Sequence, residues 1–121
     1  MQKKINTEKA PGAIGPYSQA VEIDQLVYTS GQLGIDPATG ELAQCVEAQT
    51  RQSLENVKAI LAEAGLGMES IIKTLVFVQS MGDFAAVNKI YAEYIHGDVL
   101  PARSCVEVGA LPKGGLVEIE V

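Results

Sequence analysis

One histidine, two cysteines and no tryptophan occur among the 121 residues. The lone His96 excludes a histidine-rich metal site and argues against a histidine-based triad. Cys45 and Cys105 are too few for a disulfide framework. No glycine-rich phosphate loop is present: "SGQLG" lacks both the spacing and the following helix. No apolar run approaches the ~20 residues that span a bilayer. Met1 to Lys4 carries positive charge, but polar residues follow where the apolar stretch of a signal peptide would stand. Basic residues are outnumbered, giving a net charge of −6. A polyanion is repelled on average, and the densest basic stretch is only Lys3-Lys4, so nucleic acid is not an expected partner. These absences describe a soluble, cytoplasmic protein with no membrane partner. If it is an enzyme, it works without cofactor or metal, on a substrate that is already reactive.

Apolar residues are plentiful, at 47% of the chain. That suffices for one core, and 1–121 reads as a single domain. "QAVEIDQLVYTSGQL" predicts a hairpin turning at Asp24-Gln25, and "DPATGE" a turn cluster. Val46, Leu54, Val57, Ile60, Leu61 and Ala64 recur at helical spacing from about Cys45 to Ala64. Thr50 and Ser53 dilute the first half of that stripe, Glu47 and Arg51 stand four apart as an ion pair, and Gly65 stops the helix. "SIIKTLVFVQS" predicts a strand with Ile72, Thr74, Val76 and Val78 on one face; Leu75 and Phe77 make the other face apolar as well. Asp83 is placed to cap a second helix with Phe84, Val87, Tyr91, Tyr94 and Ile95 as its stripe, ended at Gly97. Strands follow at about Arg103–Gly109 and Leu116–Val121. "LPKGG" between them reads as a hairpin turn, setting Leu111 opposite Leu116 and Glu118 opposite Gly109, six residues or roughly 20 Å along the strand from Arg103, so that one small substrate could meet both only if two subunits share the site. The order gives an α+β domain, one mixed β-sheet with two helices on one face. Since the other face is also apolar, a second copy of the chain is its simplest cover, and a homo-oligomer is expected.

Several residues stand out against this background. In "PARSCVEV", Arg103, Cys105 and Glu107 share one face of a strand. Arg103 is either solvated, ion-paired with Glu107, or an anchor whose guanidinium fork fits a carboxylate. Cys105 fits a small wall residue better than a nucleophile, because no base can be placed beside it. Glu118 and Glu120 alternate with Val117, Ile119 and Val121: a wet strand face, or one carboxylate in a pocket whose raised proton affinity suits proton transfer. Tyr17 in "IGPYSQA" either packs or caps a polar ligand. Ser30-Gly31 lies at a strand end where backbone N–H groups can meet an anion. His96, beside Gly97 near a helix end, and Cys45, at a helix start, read as structural.

Taken together, "APGAIGPYSQA", "YTSGQLGIDPATGEL", "QTRQSLENVKAILAEAG", "KTLVFVQSMGDFAAVNKIYAEY" and "PARSCVEVGALPKGGLVEIEV" resemble the Rid family, the reactive intermediate deaminases also called YjgF-type proteins. "PARSCVEV" and "LPKG" resemble its RidA subgroup. The resemblance runs from about Thr7 to Val121. It implies a chorismate-mutase-like fold, a homotrimer with a central trimeric barrel of sheets, and clefts between subunits. The activity it implies is hydrolysis of 2-imino acids, 2-iminopropanoate and 2-iminobutanoate, to 2-oxo acids and ammonia, without a cofactor. Carried over by motif, Arg103 is the carboxylate anchor and Glu118 positions or activates water. Tyr17, Ser30, Gly31, Asn88 and Cys105 line the substrate site. Relatives usually run several residues beyond the position of Val121, and the loop in "HGDVLPARS" is slightly short against them. Three alternatives remain at this point: a non-catalytic binder of small 2-oxo or 2-amino acids, a chorismate mutase on the shared architecture, and an RNA-cleaving translation inhibitor.

Overall fold

A computed structural model describes all residues, Met1–Val121. Seven strands and two helices follow one another as β1 (Lys3–Ile5), β2 (Ala20–Ile23), β3 (Leu26–Thr29), β4 (Gln32–Leu33), α1 (Val46–Glu63), β5 (Lys73–Val78), α2 (Phe84–Tyr94), β6 (Ala102–Glu107) and β7 (Val117–Glu120). β2 and β3 form the expected hairpin, with Ile23 opposite Leu26 and Asp24 in the left-handed conformation at φ 54°. The ladder order is β1-β2-β3 in one part and β4-β7-β5-β6 in the other.

The two parts are joined. Thr29 N–H donates to Val121 O at 2.9 Å, and Val121 N–H to the Thr29 hydroxyl at 3.0 Å. Three residues on, Gln32 stands opposite Ile119. Thr29 and Gln32 therefore face Val121 and Ile119 with one extra residue between them, the geometry of a β-bulge at Ser30-Gly31. The mixed sheet runs on through that bulge.

β5 is the centre of the larger part. Its helix-facing side chains, Thr74, Val76 and Val78, are wholly buried, together with Leu54 and Val57 of α1, Val87 of α2, and Val117 and Ile119 of β7. The opposite face is uncovered: Ile23, Leu26, Tyr28 and Val106 are exposed, and Leu75 and Phe77 only half-buried.

α1 ends as expected at Gly65, whose φ is +76°. Leu66 N–H reaches Leu61 O at 2.8 Å and Gly65 N–H reaches Ala62 O at 3.0 Å, a Schellman closure of the last turn.

Four local expectations need correction. β6 and β7 do not form a hairpin; they lie on opposite sides of β5, β6 parallel to it and β7 antiparallel. Because β5 is apolar on both faces, it takes the centre and separates them. Gln79 marks the crossover, its N–H on Leu116 O and its side-chain amide on Gly109 O at 3.1 Å. Glu118 thus stands opposite Leu33 and Phe77, not Gly109. Arg51 pairs with Glu93 of α2, not Glu47, because Glu93 accepts from both ends of the guanidinium, at 3.1 and 3.3 Å. Asp83 makes no capping bond; the Ser80 hydroxyl accepts from Gly82 N–H in the 3₁₀ turn that leads into α2. Ile72 lies just before β5 and is exposed.

Candidate functional site

The residues singled out from the sequence fall into two groups, at two places on the chain. The first surrounds the bulge. A cleft of about 570 Å³ is lined by Tyr17, Ser30, Gly31 and Glu118 among others, with Pro112 and Lys113 on its rim. Polar side chains buried beneath it hold its walls. Gln19 accepts from Thr7 N–H at 2.7 Å and donates to Pro11 O at 2.8 Å and Thr7 O at 3.0 Å, tying the N-terminal loop down. From α1, Ser53 donates to Gln32 O at 2.7 Å and Asn56 to Leu33 O and Ile35 O. Gln49, one turn earlier, donates to Ala43 O and accepts from Leu116 N–H. These three form a row at i, i+4 and i+7 on the buried face of the helix. Ser53 and Asn56 satisfy the two carbonyls of the short β4, Gln49 ties the loop at Ala43 to Leu116, and every buried side-chain polar atom in the chain has a partner. The diluted stripe hinted at this row; Gln19, Gln49 and Asn56 were not singled out from the sequence.

Within the cleft the Ser30 hydroxyl donates to Ser18 O at 2.6 Å. Gly31 N–H makes no hydrogen bond inside the chain. The Glu118 carboxylate lies against Gly31, so close that a Cβ there would stand 2.6 Å from Oε1. Only glycine admits this approach. Burial raises the proton affinity of Glu118 above the ordinary carboxylate value, and the nearby Glu120 charge adds to the shift.

The second group lies on the helix-facing side of β6, at the sheet edge. Arg103 donates from Nη1 to Asn88 Oδ1 at 2.7 Å. Its guanidinium carbon lies 4.8 Å from the centre of the Tyr91 ring and 5.5 Å from that of Phe84. No carboxylate pairs with it: the one ion pair in the chain is Arg51–Glu93, and Glu107 instead accepts from Met81 N–H at 2.9 Å. Cys105 follows on the same face, packed against the core. Burial pushes its thiol up, with Arg103 opposing the shift, so the thiol keeps its proton at neutral pH. Asn88 meets Arg103 directly.

One chain does not bring the two groups together. Arg103 stands opposite Thr74 and Glu118 opposite Phe77 on β5, from opposite sides. Three residues of strand and two strand spacings put their backbones roughly 14 Å apart. Their side chains also leave opposite faces of the sheet, since Thr74 is on the helix side and Phe77 is not. No group of three or more histidine, cysteine or acidic side chains is placed to hold a metal ion.

An unpaired guanidinium at a sheet edge and a half-buried carboxylate of raised proton affinity in a cleft define a small α+β protein with two separated polar half-sites. Comparison with known proteins narrows this. Residues 7–121 match the family described as Endoribonuclease L-PSP, and the chain belongs to that family. It is 55% identical to a Salmonella typhimurium protein named 2-iminobutanoate/2-iminopropanoate deaminase, covering 99% of this chain and 95% of that one. A protein of the same name from Escherichia coli strain K12 is 52% identical over the same shares. Among solved structures, a Rid family protein of Yersinia pestis has a TM-score of 0.96 at 50% identity, covering 99% of this chain and 96% of that one. Escherichia coli TdcF with bound serine has 0.94 at 49%, covering 98% and 94%.

Proposed function

We infer that this chain is a 2-iminobutanoate/2-iminopropanoate deaminase, hydrolysing reactive 2-imino acids to 2-oxo acids and ammonia. The observation that carries the site reading is Arg103, a guanidinium held in place by an amide oxygen and two rings and left without a counter-charge. Its free fork fits a carboxylate. The functional unit is the single domain 1–121 in a homotrimer, whose uncovered apolar sheet face, with Tyr28, Leu26 and Val106 exposed, is buried against the other copies. Each cleft is completed by two subunits, one giving Arg103, Asn88 and Cys105, the other Tyr17, Ser30, Gly31 and Glu118. Two unpaired cysteines, one of them exposed, suit the reducing cytoplasm. No helix is long and apolar enough to cross a membrane.

The chemistry follows from placement. Arg103 takes the substrate carboxylate and aims C2 at the Glu118 half of the cleft. Water attacks C2 while the C=N electron pair moves to nitrogen and Glu118 accepts the proton of the water. The same proton passes to the amino nitrogen. As the C–N bond breaks, the hydroxyl proton returns to Glu118, C=O forms, and ammonia leaves and takes up that proton. One protonated imine and one water thus become one 2-oxo acid and one ammonium ion. Gly31, whose N–H is free within the chain, and Tyr17 line the same cleft and hold polar substrate atoms. An RNA substrate is disfavoured: a polyanion would meet a net charge of −6 and a cleft whose bulge side carries Lys113 as its one basic residue. The test is ammonia release from 2-iminopropanoate and 2-iminobutanoate generated in the assay. Acceleration over the buffer rate is expected; binding of the 2-oxo acid with no acceleration would make the protein a binder instead.

A further inference from the structure

Arg103 is the most consequential cation in the chain, and the residues that hold it are not all substrate-facing. Tyr91 is 9% exposed, and its hydroxyl meets the hydroxyl of Thr74 at 2.9 Å. Thr74 is wholly buried and is the residue directly opposite Arg103 in the β5–β6 register. A closed circuit results. Arg103 rests on the Tyr91 ring at 4.8 Å, Tyr91 is fixed by Thr74, and Thr74 is fixed by the ladder to the backbone of Arg103. The hydrogen bond sets the angle of the ring, and the ring sets the height of the guanidinium above the sheet.

Resting on the carboxylate-anchor reading of Arg103, we propose that Tyr91, locked by Thr74, is a positioning residue of the active site. Its ring face holds the Arg103 guanidinium in the pose that receives the substrate carboxylate. Tyr91 touches no reacting atom. A freely rotating arginine samples many rotamers, and immobilising it on binding costs affinity. A ring that attracts the cation before substrate arrives removes part of that cost. The attraction is electrostatic, arising from the negative face of the ring. Asn88 fixes one nitrogen, and the ring fixes the plane.

The ring's electrostatics can be changed without changing its shape. Position 91 is filled by phenylalanine with none, one, two, three or five ring fluorines, by suppression of an amber codon. Each version carries Thr74→Val so that no buried hydroxyl is orphaned. Affinity for 2-oxobutanoate is read by calorimetry, and KM and kcat by ammonia release. The unfluorinated Tyr91→Phe/Thr74→Val protein lacks the hydroxyl lock and should already show a KM above the parent's; it is the zero point of the series. Affinity should then fall stepwise with fluorination, by roughly 2- to 25-fold across the series, the range a cation–π contact supports. KM should rise in parallel and kcat change less. A purely structural ring would give a flat series, because packing volume barely changes; that result overturns the proposal. Arg103→Ala is run beside it. If it binds and turns over normally, the anchor reading itself fails. If Arg103→Ala is dead while the series is flat, only the role of Tyr91 is lost.

Discussion

Inactive Arg103→Ala and inactive Glu118→Ala chains, unfolded together in equal amounts and refolded, are expected to regain activity. The structure sets how much. Within one chain the two residues stand roughly 14 Å apart on opposite faces of a sheet, against roughly 3.5 Å between a carboxylate oxygen and the imine nitrogen of a small 2-imino acid. They can serve one substrate only across an interface, where one copy gives its β6 side and a neighbour its bulge side. In a randomly mixed ring, the Arg103-giving copy is the Glu118→Ala chain half the time. The Glu118-giving copy is the Arg103→Ala chain half the time. About a quarter of the clefts then hold both intact residues, whatever the number of subunits in a closed cyclic ring. The remaining clefts lack one or both. The assay is the initial rate of ammonia release per total chain, normalised to parent protein carried through the same refolding. Native mass spectrometry of two tagged versions verifies that subunits have mixed. A rate near 25% of the parent supports the shared cleft, with the fraction derived from closed-ring statistics alone. Full mixing with no recovery would refute it, because it would require both residues to act from one chain.

Other outcomes follow from the same geometry. Arg103→Ala should lower kcat/KM roughly 10²- to 10⁴-fold, the equivalent of two charge-assisted hydrogen bonds, with oligomer size by gel filtration unchanged; Arg103→Lys should recover little of it, since ammonium offers no planar fork. Cys105→Ser should keep substantial activity in the ammonia assay, because the thiol is protonated at neutral pH; a covalent adduct on Cys105 in mass spectra would contradict its role as a wall. Glu118 binds its proton more tightly folded than unfolded, so its ionised form weakens the fold at pH values above the ordinary carboxylate range, fully so above its own raised value. Glu118→Gln should therefore melt no lower than the parent at neutral pH while losing activity, with that advantage shrinking in acid. The acid limb of the parent pH–rate profile should lie above the ordinary carboxylate value and move down in Glu120→Gln, which removes a like charge. Gly31→Ala should fold but lose activity, since its Cβ displaces the Glu118 carboxylate.

The helices were legible because their stripes are long. The 18-residue α1 and the closure at Gly65 follow from local spacing alone. Sheet order was not, because it depends on competition among distant strands. "LPKGG" carries real turn chemistry, with Lys113 at φ 59° and Gly114 at φ 71°, so it imitates a hairpin. The signal that overrides it was in β5: Leu75 and Phe77 on one face, Val76 and Val78 on the other. A strand apolar on both faces belongs in the centre and takes a neighbour on each side. The bulge at Ser30-Gly31 left no pattern of its own, since β4 is only two residues long. Its support came from Gln49, Ser53 and Asn56, polar residues where a helix stripe should be apolar, and such residues are retained inside a core only when they have partners. The separation of Arg103 from Glu118 within one chain was expected from a β6–β7 hairpin that does not form; it follows instead from the opposite sides of β5 that the two strands take.

That division has a consequence for turnover. A 2-imino acid at neutral pH is a head-to-tail pair of charges, a carboxylate at one end and a protonated imine at the other. On the proposed shared-cleft reading the two half-sites have the matching polarity, guanidinium in one and carboxylate in the other, so the substrate would enter in one orientation and present C2 between them. Hydrolysis replaces the cationic nitrogen by a carbonyl oxygen. The product keeps its hold on Arg103 but now sets an acceptor against the acceptor oxygens of Glu118 wherever that group is ionised. The attraction that oriented the substrate therefore becomes a mild repulsion as ammonia leaves. On that reading release of a 2-oxo acid calls for no moving lid: the same carboxylate that would help water attack would weaken the hold on what the attack produces.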